Sequence, residues 1–201
     1  MATTGRTEQA TEDNWMFPPD EGWTVDQVKD LELPFDWELM DGVIVPRGQT
    51  NLWHDHVRDE LRDQLKEARP VGHAVHVERC VKLDEHTFVK PDVVLSDSRG
   101  VNLLAVACTP AEKVKLVVEV VSPGSKGQDR IYKPAQYAAA KIPCHWRVER
   151  ERDGKVAVHE YWLNPDTRSY IPAPMHPVHR DKLITELPYP IEIDLTALLE
   201  I

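Results

Sequence analysis

Apolar residues recur along this chain with two different periods, and these periods separate predicted helices from predicted strands. Between residues 53 and 68 an apolar side chain returns every four positions among charged ones, which predicts an amphipathic helix that ends before Pro70. Residues 75–83 instead alternate between apolar and polar side chains, as in a strand with one wetter face. Residues 114–121 are almost continuously apolar, which is typical of a central strand buried on both faces.

Turn and capping signals add further predicted elements. Thr24 and Gln27 have the spacing of a capping box, which predicts the start of a short helix. Asp-Gly pairs at 41–42 and 153–154, each between apolar segments, predict two β-hairpins. Residues 128–141 have a helical pattern that ends near a proline, so a second long helix is expected there.

The length and composition favour one domain. The chain has 201 residues, and 41% of them are hydrophobic, which suits one full core better than two small ones. Residues 1–14 lack apolar anchors, so we predict that they form a disordered tail. Residues 15–201 are then expected to form a single domain.

Cysteine usage and the lack of long apolar segments bear on the compartment. Cys80, Cys108 and Cys144 lie far apart without a CxxC pair, so neither a disulfide framework nor a thiolate zinc site is expected. The N-terminus has no apolar signal region, and no segment approaches the roughly 20 apolar residues of a membrane span. A soluble, cytoplasmic protein in a reducing compartment is therefore expected.

The charge balance restricts how the chain would contact nucleic acid. The formal net charge is −10, so the surface is not cationic throughout, and any nucleic-acid contact must use a local basic patch. Lys126, Arg130 and Lys141 belong to a basic cluster that follows residue 119, and these side chains are candidates for phosphate contacts. The same charges also suit an ordinary solvated helix face.

Glu119 interrupts an apolar run that otherwise predicts burial on both faces of a strand. An ionised carboxylate in an apolar setting costs several kcal/mol unless it is paired or bound to a metal. Glu119 is therefore either a functional acid or the salt-bridged end of a strand.

Asp92 strengthens the functional interpretation. It follows Pro91 at the head of a predicted strand, and neighbouring strands would bring Asp92 and Glu119 side by side. Two carboxylates, a backbone carbonyl and waters make an oxygen-ligand site for Mg²⁺ or Mn²⁺, which activates water and neutralises charge on a phosphoryl group. The alternative is that Pro91-Asp92 is only a turn.

Several motifs in one order and spacing resemble a known family. They are Trp37-Glu38-Leu39-Met40-Asp41-Gly42, His54 at the start of a helix, Lys90-Pro91-Asp92-Val93-Val94, residues 116–125, then Asp129, Lys133 and Tyr137, and Ile142-Pro143 before Trp146. Together they resemble the large bacterial family of restriction-endonuclease-like proteins within the PD-(D/E)XK nuclease superfamily. The resemblance extends from about Thr24 to Leu163.

The resemblance implies an α/β fold of the restriction-endonuclease type, in which a mixed central sheet is flanked by helices and carries added β-hairpins. It also implies that Asp92 and Glu119 are catalytic acids that hold the metal. The superfamily's lysine, two residues after the second acid, would fall on Val121, so this chain departs from the pattern there.

Lys133 is the predicted replacement for that lysine. Asp129, Lys133 and Tyr137 are spaced by four residues and share one helix face, so Asp129 and Tyr137 are predicted to support the lysine. The alternative is that Lys133 is an ordinary surface lysine.

The resemblance suggests further residues at the border of the site. Glu38 matches an acidic family position and is either a third metal-binding carboxylate or the partner of an arginine across its hairpin. His54 matches a position next to the site, although a helix-capping or surface histidine is the alternative. Lys141 stands where relatives carry a helix-ending glycine, so either the cap is strained or the helix is longer.

The leading functional prediction is a Mg²⁺-dependent endonuclease, with Mn²⁺ as an equivalent cofactor, that hydrolyses phosphodiester bonds of DNA. The alternative is a catalytically silent domain of the same fold that binds nucleic acid or a partner protein. Two features favour this alternative, the net charge of −10 and the absence of lysine at Val121.

A homodimer is a further expectation from the predicted β ribbon around residues 146–162. This ribbon offers more large apolar side chains than one sheet face needs, and they are Trp146, Val148, Val158, Tyr161 and Trp162. A symmetric pair would present two sites to two strands.

Overall fold

The computed structural model describes residues 9–102 and 104–200. The chain divides into two compact units, one formed by Met1–Arg47 with Lys82–Val89 and the other by Gly48–Val81 with Lys90–Ile201. The single domain expected over residues 15–201 stays a prediction.

Helices and strands follow one another in a mixed order. The α-helices are α1 (Val25–Val28), α2 (Leu52–Ala68) and α3 (Lys133–Ala139), and a π-helical turn (Gln128–Tyr132) directly precedes α3. Short 3₁₀ segments span Ala111–Lys113 and Ala197–Leu199. The strands are β1 (Trp37–Met40), β2 (Val43–Pro46), β3 (His73–Val77), β4 (Val81–Lys82), β5 (Phe88–Val89), β6 (Val93–Asp97), β7 (Thr109–Pro110), β8 (Val114–Val120), β9 (Cys144–Arg150), β10 (Val156–Asn164), β11 (Ser169–Pro172), β12 (Val178–His179), β13 (Lys182–Thr185) and β14 (Ile191–Asp194).

The first unit is organised around the hairpin of β1 and β2. Met40 pairs with Val43, which leaves Asp41 and Gly42 as a two-residue turn with φ angles of 48° and 77°. Two consecutive residues with positive φ match the twist of a hairpin. A side chain at position 42 would also collide with Gly22, because an ideal Cβ would lie 2.6 Å from the Gly22 Cα. The hairpin predicted from the Asp-Gly pair is confirmed.

The N-terminal region also contributes to the first unit. The backbone N–H of Ala10 donates to the carbonyl of Gln27 at 3.0 Å, and Ala10 is buried. Gln27 and Thr24 form the predicted capping box at the start of α1. Residues 9–14 of the predicted tail thus lie in a region with defined contacts, whereas residues 1–8 lie outside the described part of the chain.

A mixed sheet forms the centre of the second unit. Its strand order is β11-β10-β9-β8-β6-β3, and β12 pairs with β10 beside it. β8 and β9 are parallel, and the other neighbouring pairs are antiparallel. The chain connects the parallel pair through the π-helical turn and α3, as a parallel connection requires a crossover. The predicted α/β fold with a mixed sheet, helices and added hairpins is confirmed.

The helix α2 covers one face of this sheet. Val57, Leu61 and Leu65 of α2 are fully buried and belong to one apolar cluster with Val118 of β8 and Trp146 of β9. Because side chains alternate along a strand, the residues between these apolar positions project from the opposite face.

The apolar side chains of the β9–β10 ribbon also lie in this core. Trp146, Val148 and Val158 are fully buried within their own unit. These three side chains are therefore not surplus apolar surface that a second copy of the chain could cover. Dimerisation itself stays a prediction.

Lys141 forms the cap at the end of α3, where relatives were expected to carry a glycine. Lys141 has a φ of 62°, and its N–H donates to the Ala138 carbonyl at 3.0 Å. The N–H of Ile142 donates to the Tyr137 carbonyl at 3.0 Å. This pair of bonds is a Schellman cap, in which the left-handed residue is usually glycine. The helix thus ends at the expected place, with a lysine in a conformation that favours glycine.

The prediction that the chain has no disulfide is wrong. Cys80 and Cys108 form a disulfide, with Cα atoms 4.6 Å apart, whereas Cys144 is a buried free thiol. The adjacent Thr109 N–H donates to the Cys80 carbonyl at 2.7 Å, so backbone pairing brings the two distant cysteines together. This disulfide removes the reason to expect a reducing compartment, and a cytoplasmic location stays a prediction.

In the part of the chain that the structure describes, no helix has the length and apolar character needed to cross a membrane.

Candidate active site

Asp92 and Glu119 occupy facing positions in the second unit. The antiparallel register of β6 and β8 pairs Val93 with Val118, so the next position on each segment places Asp92 opposite Glu119. The backbone N–H of Val120 donates to Asp92 Oδ2 at 2.7 Å. The two residues are only 4% and 1% exposed. The structure therefore brings together the two acids that the sequence predicted side by side.

Neighbouring elements hold Asp92 on both its side chain and its backbone. His54 lies in the first turn of α2, where its N–H donates to the capping Asn51 Oδ1 at 3.0 Å. The His54 Nε2 lies 3.2 Å from Asp92 Oδ2. The Asp92 carbonyl accepts from the N–H of Glu78 at 3.2 Å, and Glu78 has a φ of 48° that divides the single strand predicted over residues 75–83.

The electrostatic setting lowers the pKa of Asp92 and raises the pKa of His54. Burial raises the pKa of Asp92, but the hydrogen bond and charge of His54, the charge of Lys133 and the Val120 N–H outweigh it, so this pKa lies below its usual value. Burial lowers the pKa of His54, but Asp92 and then Asp55 reverse this effect and raise it above the ordinary 6.5. His54 thus contacts Asp92 directly, and its part in the chemistry stays a prediction.

Glu119 is held by the helical segment on the other side. The Lys133 Nζ lies 3.2 Å from Glu119 Oε1, and the Tyr137 hydroxyl donates to the same oxygen. The Lys133 Nζ also lies 3.9 Å from Asp129 Oδ1, and Asp129 accepts a hydrogen bond from the Ser125 hydroxyl. Lys133 is only 5% exposed, so it is not an ordinary surface lysine. Lys133 and Tyr137 therefore meet at Glu119, and Asp129 contacts Lys133.

Glu38 lies in the first unit, on β1. It is 2% exposed, and its Oε1 lies 3.9 Å from Arg47 Nε, which follows β2 of the same hairpin. This is the arginine contact that was the alternative for Glu38. Its role as a metal ligand stays a prediction.

The donor chemistry of the site suits a hard divalent cation. Asp92 and Glu119 offer carboxylate oxygens, which Mg²⁺ and Mn²⁺ prefer. Within residues 9–102 and 104–200, no group of three or more His, Cys, Asp or Glu side chains could hold a metal ion. The two acids would thus be the side-chain ligands, and a backbone carbonyl and water would complete the shell, as Mg²⁺ commonly allows.

Two of the three predicted nucleic-acid contacts border one cleft. Lys126 and Arg130 line a cleft of about 260 Å³ together with His54, so the cleft lies next to a residue that contacts Asp92. Arg130 also pairs with Glu149, at N–O distances of 2.5 and 3.1 Å. Lys141 is not among the lining residues and lies beyond the other end of α3.

Sequence analysis did not identify His145. This residue is 1% exposed on β9, and its ring centroid lies 5.8 Å from that of Tyr137 and 5.6 Å from that of Tyr161. Burial, with added charge from Arg147 and Lys133, lowers the pKa of His145 to about 3, so the imidazole is neutral. In the sequence, its position between the apolar Cys144 and Trp146 was the feature that could have indicated a buried histidine.

A separate buried network around Glu160 was also missed. The Glu160 Oε2 lies 2.9 Å from His179 Nε2, and its Oε1 accepts from the Thr185 hydroxyl and from Trp162 Nε1, the latter at 2.8 Å. Glu160 and His179 are 2% and 6% exposed. These partners come from β12, β13 and β10 itself, so no local sequence spacing indicates the pairing.

Comparisons with known proteins identify a family and a similar fold. A family model described as "Uma2: Putative restriction endonuclease" matches residues 25–177. The structure of a putative nuclease belonging to DUF820 from Anabaena variabilis ATCC 29413 is similar, with a TM-score of 0.59, 12% identity, and coverage of 87% of this chain and 96% of that chain. At this identity the likeness shows the fold alone. No curated protein matches the chain.

Proposed function

The chain belongs to the Uma2 family of putative restriction endonucleases, and on this basis we propose that it is a metal-dependent endonuclease that hydrolyses phosphodiester bonds of DNA. Membership in the family supports nuclease function in general. The observation that carries the finer proposal is the facing pair of buried acids, Asp92 and Glu119, with Lys133 on the second of them.

Asp92 and Glu119 would hold Mg²⁺ or Mn²⁺. Two like charges at facing positions repel one another, and a divalent cation between them offsets that repulsion. The cation, when bound, supplies Lewis acidity and a water of lowered pKa. His54 and the Val120 N–H both contact Asp92 Oδ2, which fixes the direction of that carboxylate.

Lys133 would provide the fixed positive charge of the site. It is buried, it contacts Glu119, and it lies within 3.9 Å of Asp129, so its ammonium group has little freedom to move. A preorganised cation in a water-poor site stabilises negative charge that develops on a phosphate far better than a solvated one does. This arrangement supports Lys133 as the substitute for the lysine absent at Val121.

Lys126 and Arg130 would contact the phosphates of the bound strand. Both line the cleft that His54 borders, so a backbone that follows this cleft passes next to the acid pair. Such contacts are independent of sequence and weaken as the salt concentration rises.

Plasmid nicking with Mg²⁺ or Mn²⁺ tests the proposal. We expect the natural protein to nick DNA and Asp92→Asn to lose this activity, because the substitution removes a ligand charge. Asp97→Asn is the matched control, since Asp97 lies at the far end of β6, the strand that Asp92 directly precedes, and pairs with Arg99 at the surface. Equal nicking by the natural protein and Asp92→Asn would reject the catalytic role of Asp92.

The second candidate is a catalytically silent domain that binds nucleic acid or a protein, which Val121 at the superfamily's lysine position favours. Calorimetry with Mn²⁺ separates the two candidates. A nuclease should bind Mn²⁺ in a manner that depends on Asp92 and Glu119, whereas a silent domain has no need of this site. Mn²⁺ binding that survives both Asp92→Asn and Glu119→Gln would show that the metal site is assigned wrongly.

A further inference from the structure

A second cavity, of about 350 Å³, lies beside α3 in the same unit as the acid pair. Pro134 and Ala135 of α3 line it, as do Tyr161 of β10 and Tyr170 of β11. Its volume falls at the lower end of the roughly 300–1,000 Å³ that small-molecule sites occupy. The cavity thus offers apolar and aromatic walls of a size that suits one ring system and its substituents.

His145 contributes a buried polar group to this cavity. It lines the cavity, it is 1% exposed, and neither ring nitrogen has a hydrogen-bond partner among the described residues. Buried polar atoms in folded proteins almost always have a partner, and a molecule bound in the cavity would supply one for these ring nitrogens. A neutral imidazole offers such a molecule one donor and one acceptor.

The lining of the cavity is also cationic. Arg130, Arg147 and Arg168 all line it, and no carboxylate does. Arg130 and Arg147 both contact Glu149, the latter at 2.7 Å. Arg168 is exposed in the turn between β10 and β11, and within the described ranges it has no ion pair or hydrogen bond. The cavity therefore attracts an anionic group at its arginines.

We propose that this cavity binds one nucleotide unit, with the base between the α3 wall and the tyrosines and the phosphate at Arg168. The flat face of a base would pack against the aromatic and apolar walls, and its polar edge would pair with His145. Stacking on tyrosine does not depend on which base is bound. A nucleotide also carries the anion that the arginines require. A purely apolar ligand would leave His145 and Arg168 without partners.

The inference rests on the proposed nuclease function, because it makes this cavity a subsite for a nucleotide away from the cleaved bond. Arg130 lines both this cavity and the cleft next to His54, so one strand can contact both. The shared chemistry is a nucleotide, and its source is either a DNA strand or a free nucleoside monophosphate.

Binding measured without divalent cation tests the cavity separately from cleavage. The probes are a fluorescein-labelled single-stranded deoxyadenylate oligonucleotide, free deoxyadenosine monophosphate and inorganic phosphate, each with the full chain in EDTA. Ala135→Phe fills the cavity from an exposed helix position, and Ala139→Phe is the matched control at an exposed position of α3 that does not line it. Arg168→Gln is compared with Arg152→Gln, an exposed arginine outside the lining.

We expect Ala135→Phe to weaken nucleotide binding about tenfold or more, the scale of losing one stacked base, while Ala139→Phe leaves it unchanged. Arg168→Gln should reduce the salt dependence of oligonucleotide binding by about one phosphate contact, unlike Arg152→Gln. An effect on the oligonucleotide identifies a strand subsite, and an effect on the free nucleotide alone identifies a mononucleotide site. Thermal melting checks that both phenylalanine variants are folded.

Equal binding by Ala135→Phe and Ala139→Phe would overturn the proposal, and so would binding of inorganic phosphate as tight as that of the nucleotide. These results leave the proposed nuclease function intact if nicking still depends on Asp92. Conversely, a protein that does not nick DNA but distinguishes the two phenylalanine variants would contradict the nuclease proposal and support the nucleotide site.

Discussion

The central sheet buries Glu119 on one face and Glu160 on the other. Glu119 lies between Val118 and Val120 of the core cluster and so projects toward α3, whereas Glu160 pairs in register with Trp146 on the core face. Both acids are at most 2% exposed. Glu119 accepts a hydrogen bond from the Tyr137 hydroxyl and contacts Lys133. Glu160 accepts a hydrogen bond from the Thr185 hydroxyl and contacts His179.

The difference between the two acids lies in what surrounds them. Glu119 faces a second carboxylate, Asp92, and contacts Lys133, and the cleft next to His54 adds basic side chains. Glu160 has partners for its own charge and lines neither that cleft nor the cavity beside α3. Burial with a partner therefore does not identify a catalytic acid, because structural pairs have the same property.

The largest expected effect separates the two acids directly. Glu119→Gln should reduce plasmid nicking by roughly a hundredfold to a thousandfold, the scale of losing a group that acts on the transition state. Glu160→Gln should keep nicking close to the natural rate but lower the free energy of unfolding by about 1–3 kcal/mol, because the hydrogen bond from His179 to a buried carboxylate becomes one to a neutral amide. Nicking assays and urea denaturation measure the two effects. Similar losses of nicking in both variants would remove the distinction.

The next prediction concerns the cation on the Glu119 face. Lys133→Met should leave Mn²⁺ affinity nearly intact and reduce cleavage by roughly a hundredfold or more, because the site loses a preorganised charge. Lys126→Met is the control, since Lys126 lines the cleft rather than contacting Glu119. If Lys133 only binds phosphate, both variants should weaken substrate binding modestly and preserve the rate at saturating substrate. Equal effects of the two substitutions would favour the silent-domain alternative.

The neutral histidine on the Glu119 face predicts acid sensitivity. The pKa of His145 is about 3 in the folded protein against an ordinary 6.5, so the unfolded chain binds one more proton between these values. The free energy of unfolding is therefore not reduced by His145 above about pH 6.5, and it decreases as the pH falls from there toward about 3. Urea denaturation at a series of pH values should show this loss, and His145→Gln should make the decline shallower. An unchanged pH profile in His145→Gln would contradict the buried neutral state.

The smallest expected effect is a change in the free energy of unfolding when the cap at the end of α3 is altered. Lys141→Gly should raise the free energy of unfolding by about 1 kcal/mol, because glycine adopts the left-handed conformation of this cap without the steric cost that lysine meets. Ala139→Gly, inside the last turn of α3, should instead destabilise the protein by about 0.5–1 kcal/mol. Thermal or urea denaturation measures both, and nicking should be unchanged. A loss of stability in Lys141→Gly would show that the lysine makes a compensating contact.

Local sequence patterns, together with the family resemblance, indicated the residues that meet on the Glu119 face. Asp92 follows a proline at the head of a strand, and Glu119 is a charged residue within an apolar strand. Lys133 follows Asp129 at helical spacing. The types and the order of these residues therefore indicate a site. The hairpin turns and the α1 cap are likewise set by residues within four positions of one another. Such interactions form within short segments, so the sequence of each segment is sufficient to indicate them.

Tertiary structure alone decided the features whose partners are distant in the chain. The Cys80–Cys108 disulfide, the Glu160–His179 pair and the unpaired His145 beside its arginines depend on which strands become neighbours and in which register. A shift of one residue in that register would reverse which side chains face α2 and which face α3. The sequence therefore determined the helices and the turns and indicated the two acids. Packing of the whole sheet determined which acid lies opposite a second carboxylate beside Lys133, and which is enclosed with its own partners.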